Sequence, residues 1–138
     1  MKGNTLNKIF IILPIFFILI GMDGLKEIKQ IIGTKWILPV TEQAFDYIIF
    51  KDSIKFDHYS CEREIIYFGR YYISNDTIIL KTDSAQYMHD FSKSTLKLLF
   101  SDNKLKPIYS KYGHLDAVTV FDSTFIYYRD TTFIYENK

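Results

Sequence analysis

Short polar turns interrupt apolar runs at regular intervals along most of the chain. They recur every 24 to 27 residues, at Lys51-Asp52, Asn75-Asp76, Asp102-Asn103 and Arg129-Asp130. Runs rich in β-branched and aromatic residues, separated by two polar residues, are typical of β-hairpins, and several hairpins in series are typical of a β-barrel or sandwich. We therefore predict an all-β protein, an antiparallel meander of about eight strands that forms a small barrel.

Three residues are expected to disturb the regular strands. Gly69 lies in mid-strand and predicts a bend or β-bulge, and Pro107 predicts an edge or a bulge because proline has no N–H to donate. Pro39 interrupts the first strand. Each of the three also allows pairing to end, so an open sheet remains the alternative to a closed barrel.

Two further stretches complete the predicted meander. Residues 83–94 have mixed polarity without alternation, which predicts one long loop over a barrel mouth. Residues 122–129 and 130–137 form a near-repeat in which Thr-Phe-Ile-Tyr occurs twice. We predict that these two copies form a final hairpin around Arg129-Asp130.

The N-terminal part of the chain has a different pattern. Residues 1–8 carry two lysines and no acid, and residues 9–20 are apolar apart from one proline, which predicts a secretory signal peptide over residues 1–22. Twelve apolar residues are too few to span a bilayer, which needs about 20. An uncleaved signal anchor is the alternative, because no Ala-x-Ala site follows. The mature domain then comprises residues 23–138, in the periplasm or outside the cell.

Apolar residues at helical spacing begin this domain. Leu25, Ile28, Ile31 and Ile32 lie on one face of residues 23–32, and charged residues lie opposite. This pattern predicts a short amphipathic N-terminal helix, which Gly33 ends.

The charge balance argues against a nucleic-acid partner. The signal segment contains two of the 17 basic residues and none of the 16 acidic ones, so the mature chain has a net charge of −1. Phosphate backbones are bound by clustered Lys and Arg, whereas the basic residues here are spread singly along the strands. We expect contact with a membrane only through an uncleaved signal segment.

Two segments resemble a known group of proteins. Gly33-Thr34-Lys35-Trp36 opens the first strand, and residues 69–80 read Gly-Arg-Tyr-Tyr-Ile-Ser-Asn-Asp-Thr-Ile-Ile-Leu. Over roughly residues 33–109 the chain resembles the lipocalin-like domains of small exported bacterial proteins. The resemblance implies a barrel architecture with a mouth for an apolar ligand, without identifying the ligand.

The first functional hypothesis is a non-enzymatic binding module. An eight-stranded barrel either has a filled core or leaves room for one small ligand. We predict that a small apolar ligand is bound in the mouth by Trp36, Phe56, Tyr87 and Met88, the last two on the long loop. No cofactor is expected.

The alternative is a protein–protein interaction module, such as an inhibitor or an immunity-type envelope protein. The chain contains 11 Tyr and 12 Phe, and two tyrosine pairs, Tyr71-Tyr72 and Tyr127-Tyr128, lie in predicted strands. Adjacent strand residues face opposite ways, so one ring of each pair lies outside the core. Tyr72 and Tyr128 are therefore the predicted interaction residues.

Catalysis and metal binding have weaker support. Residues 57–62 contain His58, Cys61 and two acids, but the chain has none of the common metal-ligand spacings, and we predict no metal site. It also has no nucleophile elbow and no Gly-rich phosphate loop. As the only cysteine, Cys61 forms no internal disulfide; an intermolecular disulfide or burial as a small apolar group remain its alternatives.

Overall fold

The structure is a computed structural model, which describes residues 30–88, 92–112, 121 and 124–136. Within these residues it is all-β, as predicted, and eight antiparallel strands form a closed barrel in which each strand pairs with its neighbours in sequence. The open-sheet alternative is thereby excluded. The strands are β1 (Thr34–Pro39), β2 (Phe45–Phe50), β3 (Lys55–Ser60), β4 (Ile65–Ser74), β5 (Thr77–Ala85), β6 (Ser94–Ser101), β7 (Lys104–Tyr112) and β8 (Tyr127–Arg129).

The first three predicted turns join strands as expected. Asn75-Asp76 and Asp102-Asn103 are two-residue hairpin turns, and Asn75, Asp102 and Asn103 have φ between 51° and 57°. Left-handed backbone of this kind matches the twist of paired strands, and Asn and Asp tolerate it well. The β2–β3 connection is longer, and there the Asp52 carboxylate accepts hydrogen bonds from the backbone N–H groups of Ile54 and Lys55 at 2.8 and 2.7 Å.

The predicted final hairpin is wrong. β8 contains only the last three residues of the first copy, and it closes the barrel between β1 and β7, through the register pairs Ile37↔Tyr128 and Leu105↔Tyr127. Both edges of β8 are therefore already paired, and no edge is left for the second copy. After β8 the Asp130 carboxylate accepts hydrogen bonds from the Thr132 N–H and hydroxyl, and the chain forms a turn instead of continuing as a strand.

Two irregularities lie where Gly69 and Pro107 predicted them. The β4–β5 register shifts between Phe68 and Gly69, and the β6–β7 register shifts opposite Pro107. The first shift lets β5 continue to Ala85, whose side chain is buried. The predicted loop over residues 83–94 is therefore too long at both ends. Residues 83–85 belong to β5, and Ser94 begins β6.

The N-terminal predictions fall mostly outside the described residues. The signal segment and most of the predicted helix lie before residue 30; Gln30 and Ile31 have helical backbone, and Gly33 has φ of +73°. Ile31 is fully buried against the barrel core. Among the described residues no helix has the length and apolar character needed to cross a bilayer.

Candidate functional site

The inside of the barrel changes from apolar to polar along the strands. On β2 the inward positions run from Phe50 and Ile48 to Asp46, and on β3 they run from Phe56 to His58 and Ser60. β5, β6 and β7 follow the same order, with apolar residues deep in the barrel and Thr82, Ser94 and Ser110 towards one end. One half of the barrel is thus a packed apolar core, and the other half presents polar groups to its own interior.

A cavity of about 180 Å³ lies in this polar half. We call it the mouth cavity. It opens at the barrel end that carries the β3–β4 turn, and most of its lining is polar. The described residues that line it are Asp46, Phe56, His58, Ser60, Glu62, Arg63, Tyr67, Leu80, Thr82, Ser94, Thr95, Leu96 and Ser110.

Phe56 lies at the apolar end of the mouth cavity, and Gly69 makes room for it. In the β3–β4 register Phe56 is opposite Gly69, and a Cβ placed on Gly69 would lie 2.9 Å from the Phe56 ring and 2.1 Å from the Lys81 carbonyl oxygen. Only glycine fits this space. The bulge therefore allows β4 and β5 to pass close to the ring that ends the cavity.

His58 is the imidazole of the mouth cavity. It is opposite Tyr67 in the β3–β4 register, with ring centroids 5.9 Å apart, and its Nε2 lies 3.3 Å from the Tyr127 hydroxyl of β8. Burial lowers the pKa of His58 from 6.5 to about 4, although the nearby Asp46 carboxylate opposes the shift. The imidazole is therefore neutral at pH 7 and takes part in hydrogen bonding without a charge.

Asp46 supplies a carboxylate that the β3–β4 turn holds in place. Its Oδ1 accepts a hydrogen bond of 2.8 Å from the Cys61 backbone N–H. The same carboxylate raises the pKa of the Cys61 thiol, chiefly through a hydrogen bond between the two side chains. The thiol is thus protonated at neutral pH, which does not suit a nucleophile.

The β3–β4 turn also contributes the other two charged lining residues. Arg63 donates a hydrogen bond of 3.3 Å from its Nη1 to the Tyr67 hydroxyl, and Glu62 and Arg63 are both exposed. The cavity wall therefore has charges of both signs at its outer end and hydroxyl groups further in.

Of the four predicted ligand-binding residues, one lines the mouth cavity. Phe56 does, whereas Trp36 is buried in the apolar half, where its ring packs edge-on against Phe100 at 5.9 Å and its Nε1 donates to Thr34 at 2.8 Å. Tyr87 and Met88 are exposed on the loop after β5, outside the cavity lining. The structure thus separates this predicted set, and the binding role itself stays a prediction.

The tyrosine pairs have the predicted orientations. Tyr71 and Tyr127 are buried, whereas Tyr72 and Tyr128 are 48% and 47% exposed. The exposed rings lie on β4 and β8, four strands apart in either direction around the barrel, so they do not share one surface. Each has a lysine ammonium over it, at 5.4 Å from Lys81 for Tyr72 and 5.8 Å from Lys104 for Tyr128.

A larger group of outward rings, which the sequence analysis missed, lies on β2, β3 and the segment after β8, around a lysine of β1. We call it the outer aromatic face. Lys35 Nζ lies 4.7 Å from the centroid of the Tyr47 ring, Tyr47 stacks on Tyr59 at 5.0 Å, and the segment after β8 adds Phe133 at 5.6 Å from the same ammonium. Alternation along β2 is the signal that would have found it. Its rings are Phe45, Tyr47, Tyr59 and Phe133.

The described residues contain no group of three or more His, Cys, Asp or Glu side chains placed to hold a metal ion. No protein-family model, no curated protein and no solved structure matches this chain. The chemistry of the mouth cavity is therefore inferred from its own lining.

Proposed function

We propose that the protein is a non-enzymatic binding module that takes up a small polar molecule in the mouth cavity. The observation that carries the proposal is the concave space of about 180 Å³ inside a barrel whose other half is packed. Small-ligand sites are concave and combine an apolar part with a few directed polar groups. Phe56, Leu80 and Leu96 supply the apolar part, and the remaining lining residues supply the polar groups.

The lining favours a polar ligand over the apolar one that the sequence led us to expect. Hydroxyl groups donate and accept hydrogen bonds, and several of them face the cavity from β3, β5, β6 and β7. An apolar ligand would leave these groups without the partners that water supplies, which costs free energy. A ligand with its own donors and acceptors meets them instead.

Native mass spectrometry of the protein purified gently from its own cells tests the proposal. We expect a small molecule that is bound to the folded protein and lost on unfolding. Ser110→Leu fills the cavity and should abolish the bound mass, whereas Ser84→Leu adds the same side chain at an exposed position on β5 and should keep it. If Ser110→Leu does not fold, Thr82→Val replaces it in the test. This variant removes one lining hydroxyl at nearly constant volume and should reduce the amount of bound molecule. A mass that all variants retain would contradict the proposal.

A protein partner is the second candidate function, and the outer aromatic face is the observation that favours it. Aromatic residues are enriched at protein interfaces, and Phe45 is 43% exposed beside Lys35. Tyr72 and Tyr128 lie on different sides of the barrel, so a single partner meets one of them. In the same mass measurement, a bound protein chain lost in Phe45→Ala, but kept in Ser110→Leu, would support this function on the outer aromatic face. Loss in Tyr72→Ala or in Tyr128→Ala would instead locate the partner at that tyrosine.

Export and a lipocalin-like assignment complete the proposal. The closed eight-stranded antiparallel barrel is consistent with a lipocalin-like fold, and the basic and apolar segments of residues 1–22 support export to the periplasm or beyond. The intact mass of the protein isolated from its own cells tests the second part. A mass short by about the first 22 residues would support cleavage, and the full mass in the cytosolic fraction would contradict export.

A further inference from the structure

The charges around the mouth cavity do not balance. Among the described residues of the lining, Asp46 and Glu62 are acidic, Arg63 is the only basic one, and His58 is neutral at pH 7. The described part of the lining thus carries a net charge of −1. A ligand that brings one positive charge would neutralise it.

Asp46 is the acidic group best placed to receive that charge. Its side chain lies on the first inward position of β2, and its Oδ1 is held by the Cys61 N–H at 2.8 Å. Neither of the ion pairs found between described residues, Lys51–Asp57 and Arg70–Asp83, includes it. Asp46 therefore accepts hydrogen bonds from neutral groups of Cys61, in the β3–β4 turn, and forms no ion pair with a basic side chain among the described residues. The negative charge of Asp46 also acts on the cavity wall, since it opposes the lowering of the pKa of His58, which lines the cavity.

The other walls are suited to the same kind of ligand. Cations are attracted to the faces of aromatic rings, and Phe56 and Tyr67 both line the cavity. Hydroxyl oxygens accept hydrogen bonds from N–H groups, and Ser60, Thr82 and Ser110 place such oxygens on three different strands. A carboxylate ligand would instead meet Asp46 as a like charge.

We propose that the ligand of the mouth cavity is a small molecule with an ammonium group, which pairs with Asp46 while its apolar part lies against Phe56. The inference rests on the proposed binding function and names its ligand class. The volume of about 180 Å³ restricts the class to molecules of a few heavy atoms beyond the ammonium group, below the roughly 300 Å³ of sites for drug-sized ligands.

Calorimetric titration with three probes of similar shape tests the ligand class. The probes are n-butylamine, n-butanol and butyrate, which present a cation, a neutral hydroxyl and an anion on matched alkyl chains. At pH 7 we expect n-butylamine to bind roughly tenfold or more tightly than the other two, the effect of about 1.4 kcal/mol from one charge pair.

Two variants locate the charge that is responsible. Asp46→Asn keeps an oxygen that accepts from the Cys61 N–H but removes the charge, and it should lower the affinity for n-butylamine by about tenfold while leaving that for n-butanol unchanged. Asp83→Asn is the matched control, because this carboxylate is exposed and pairs with Arg70 outside the barrel. It should leave both affinities unchanged.

The outcomes separate the ligand class from the binding function. Binding of n-butanol or butyrate at least as tight as that of n-butylamine, or an Asp46→Asn variant with unchanged affinity for n-butylamine, would overturn the ammonium class and leave the cavity as a binding site. No binding of any probe at millimolar concentration to the folded protein would overturn both proposals.

Discussion

The Nε2 of His58 lies 3.3 Å from the hydroxyl oxygen of Tyr127, although the two residues are 69 positions apart. This contact joins β3 to β8 across the inside of the barrel. β8 is only three residues long and closes the sheet through two register pairs with each neighbour. The contact therefore links the polar half of the barrel to the strand that completes it, and it places an imidazole where a positive charge is unfavourable.

The free energy of unfolding should decrease as the pH is lowered, because of His58. Its pKa is lowered from 6.5 to about 4 in the folded protein, so between these values the unfolded chain binds a proton that the folded chain does not. The contribution of His58 to stability is then fully present above pH 6.5 and is lost as the pH falls towards 4. The loss is at most about 3 kcal/mol, because the side chain lines the cavity and is partly screened by solvent. Urea denaturation at pH 7 and pH 4.5 measures the change.

The variant His58→Gln removes this titration and should show a smaller loss of stability between the two pH values. Tyr127→Phe keeps the buried imidazole and should retain most of the wild-type pH dependence. Equal losses in the wild type and in His58→Gln would contradict the assignment to His58.

The adjacent tyrosines of β8 should differ sharply in their effect on stability. Tyr127 is 3% exposed, whereas Tyr128 is 47% exposed. We expect Tyr127→Ala to lower the free energy of unfolding by about 3–5 kcal/mol, because it leaves a cavity in the core, and Tyr128→Ala to change it by less than about 1 kcal/mol. Chemical denaturation of both variants checks this, and similar losses would show that the orientation of β8 is wrong.

The two described glycines offer a matched comparison of a different kind. A Cβ on Gly69 would lie 2.1 Å from the Lys81 carbonyl oxygen, whereas one on Gly33 would lie 3.9 Å from its nearest neighbour, in Tyr135. Gly33→Ala is strained only by its φ of +73° and should cost about 1–2 kcal/mol. Gly69→Ala must displace backbone at the bulge and should cost about 3 kcal/mol or more. Thermal or urea unfolding decides the order, and a smaller cost for Gly69→Ala would argue against the bulge geometry.

Local signals in the sequence were sufficient for most of the fold. Alternation of apolar and polar residues predicted the strands, and Asn75-Asp76 and Asp102-Asn103 predicted their turns, because the residues that favour these turns are few. The end of the chain was misjudged because the two Thr-Phe-Ile-Tyr copies are locally almost the same. Only the tertiary pairing of β8 with both β1 and β7 decides that the end of the first copy, and no part of the second, pairs as a strand among the described residues.

Less of the candidate site than of the fold could be predicted from the sequence. Phe56 was predicted to lie at the mouth and lines the cavity, but the prediction rested on large side chains and did not include Asp46, Thr82 and Ser110. These residues occupy inward positions near the same end of the barrel, and a polar residue at an inward position is the signal that would have found them. Which ends of different strands meet depends on the closed topology, which the sequence left open.

The measurement that tests the mouth cavity most directly is a ¹H–¹⁵N correlation spectrum of the labelled protein, recorded before and after addition of the small-molecule extract of its own cells. Binding in the mouth cavity predicts amide shifts confined to its lining, led by Asp46, His58, Thr82 and Ser110. Unchanged amides throughout the lining, or shifts confined to Tyr47, Tyr59 and the rest of the outer aromatic face, would contradict it.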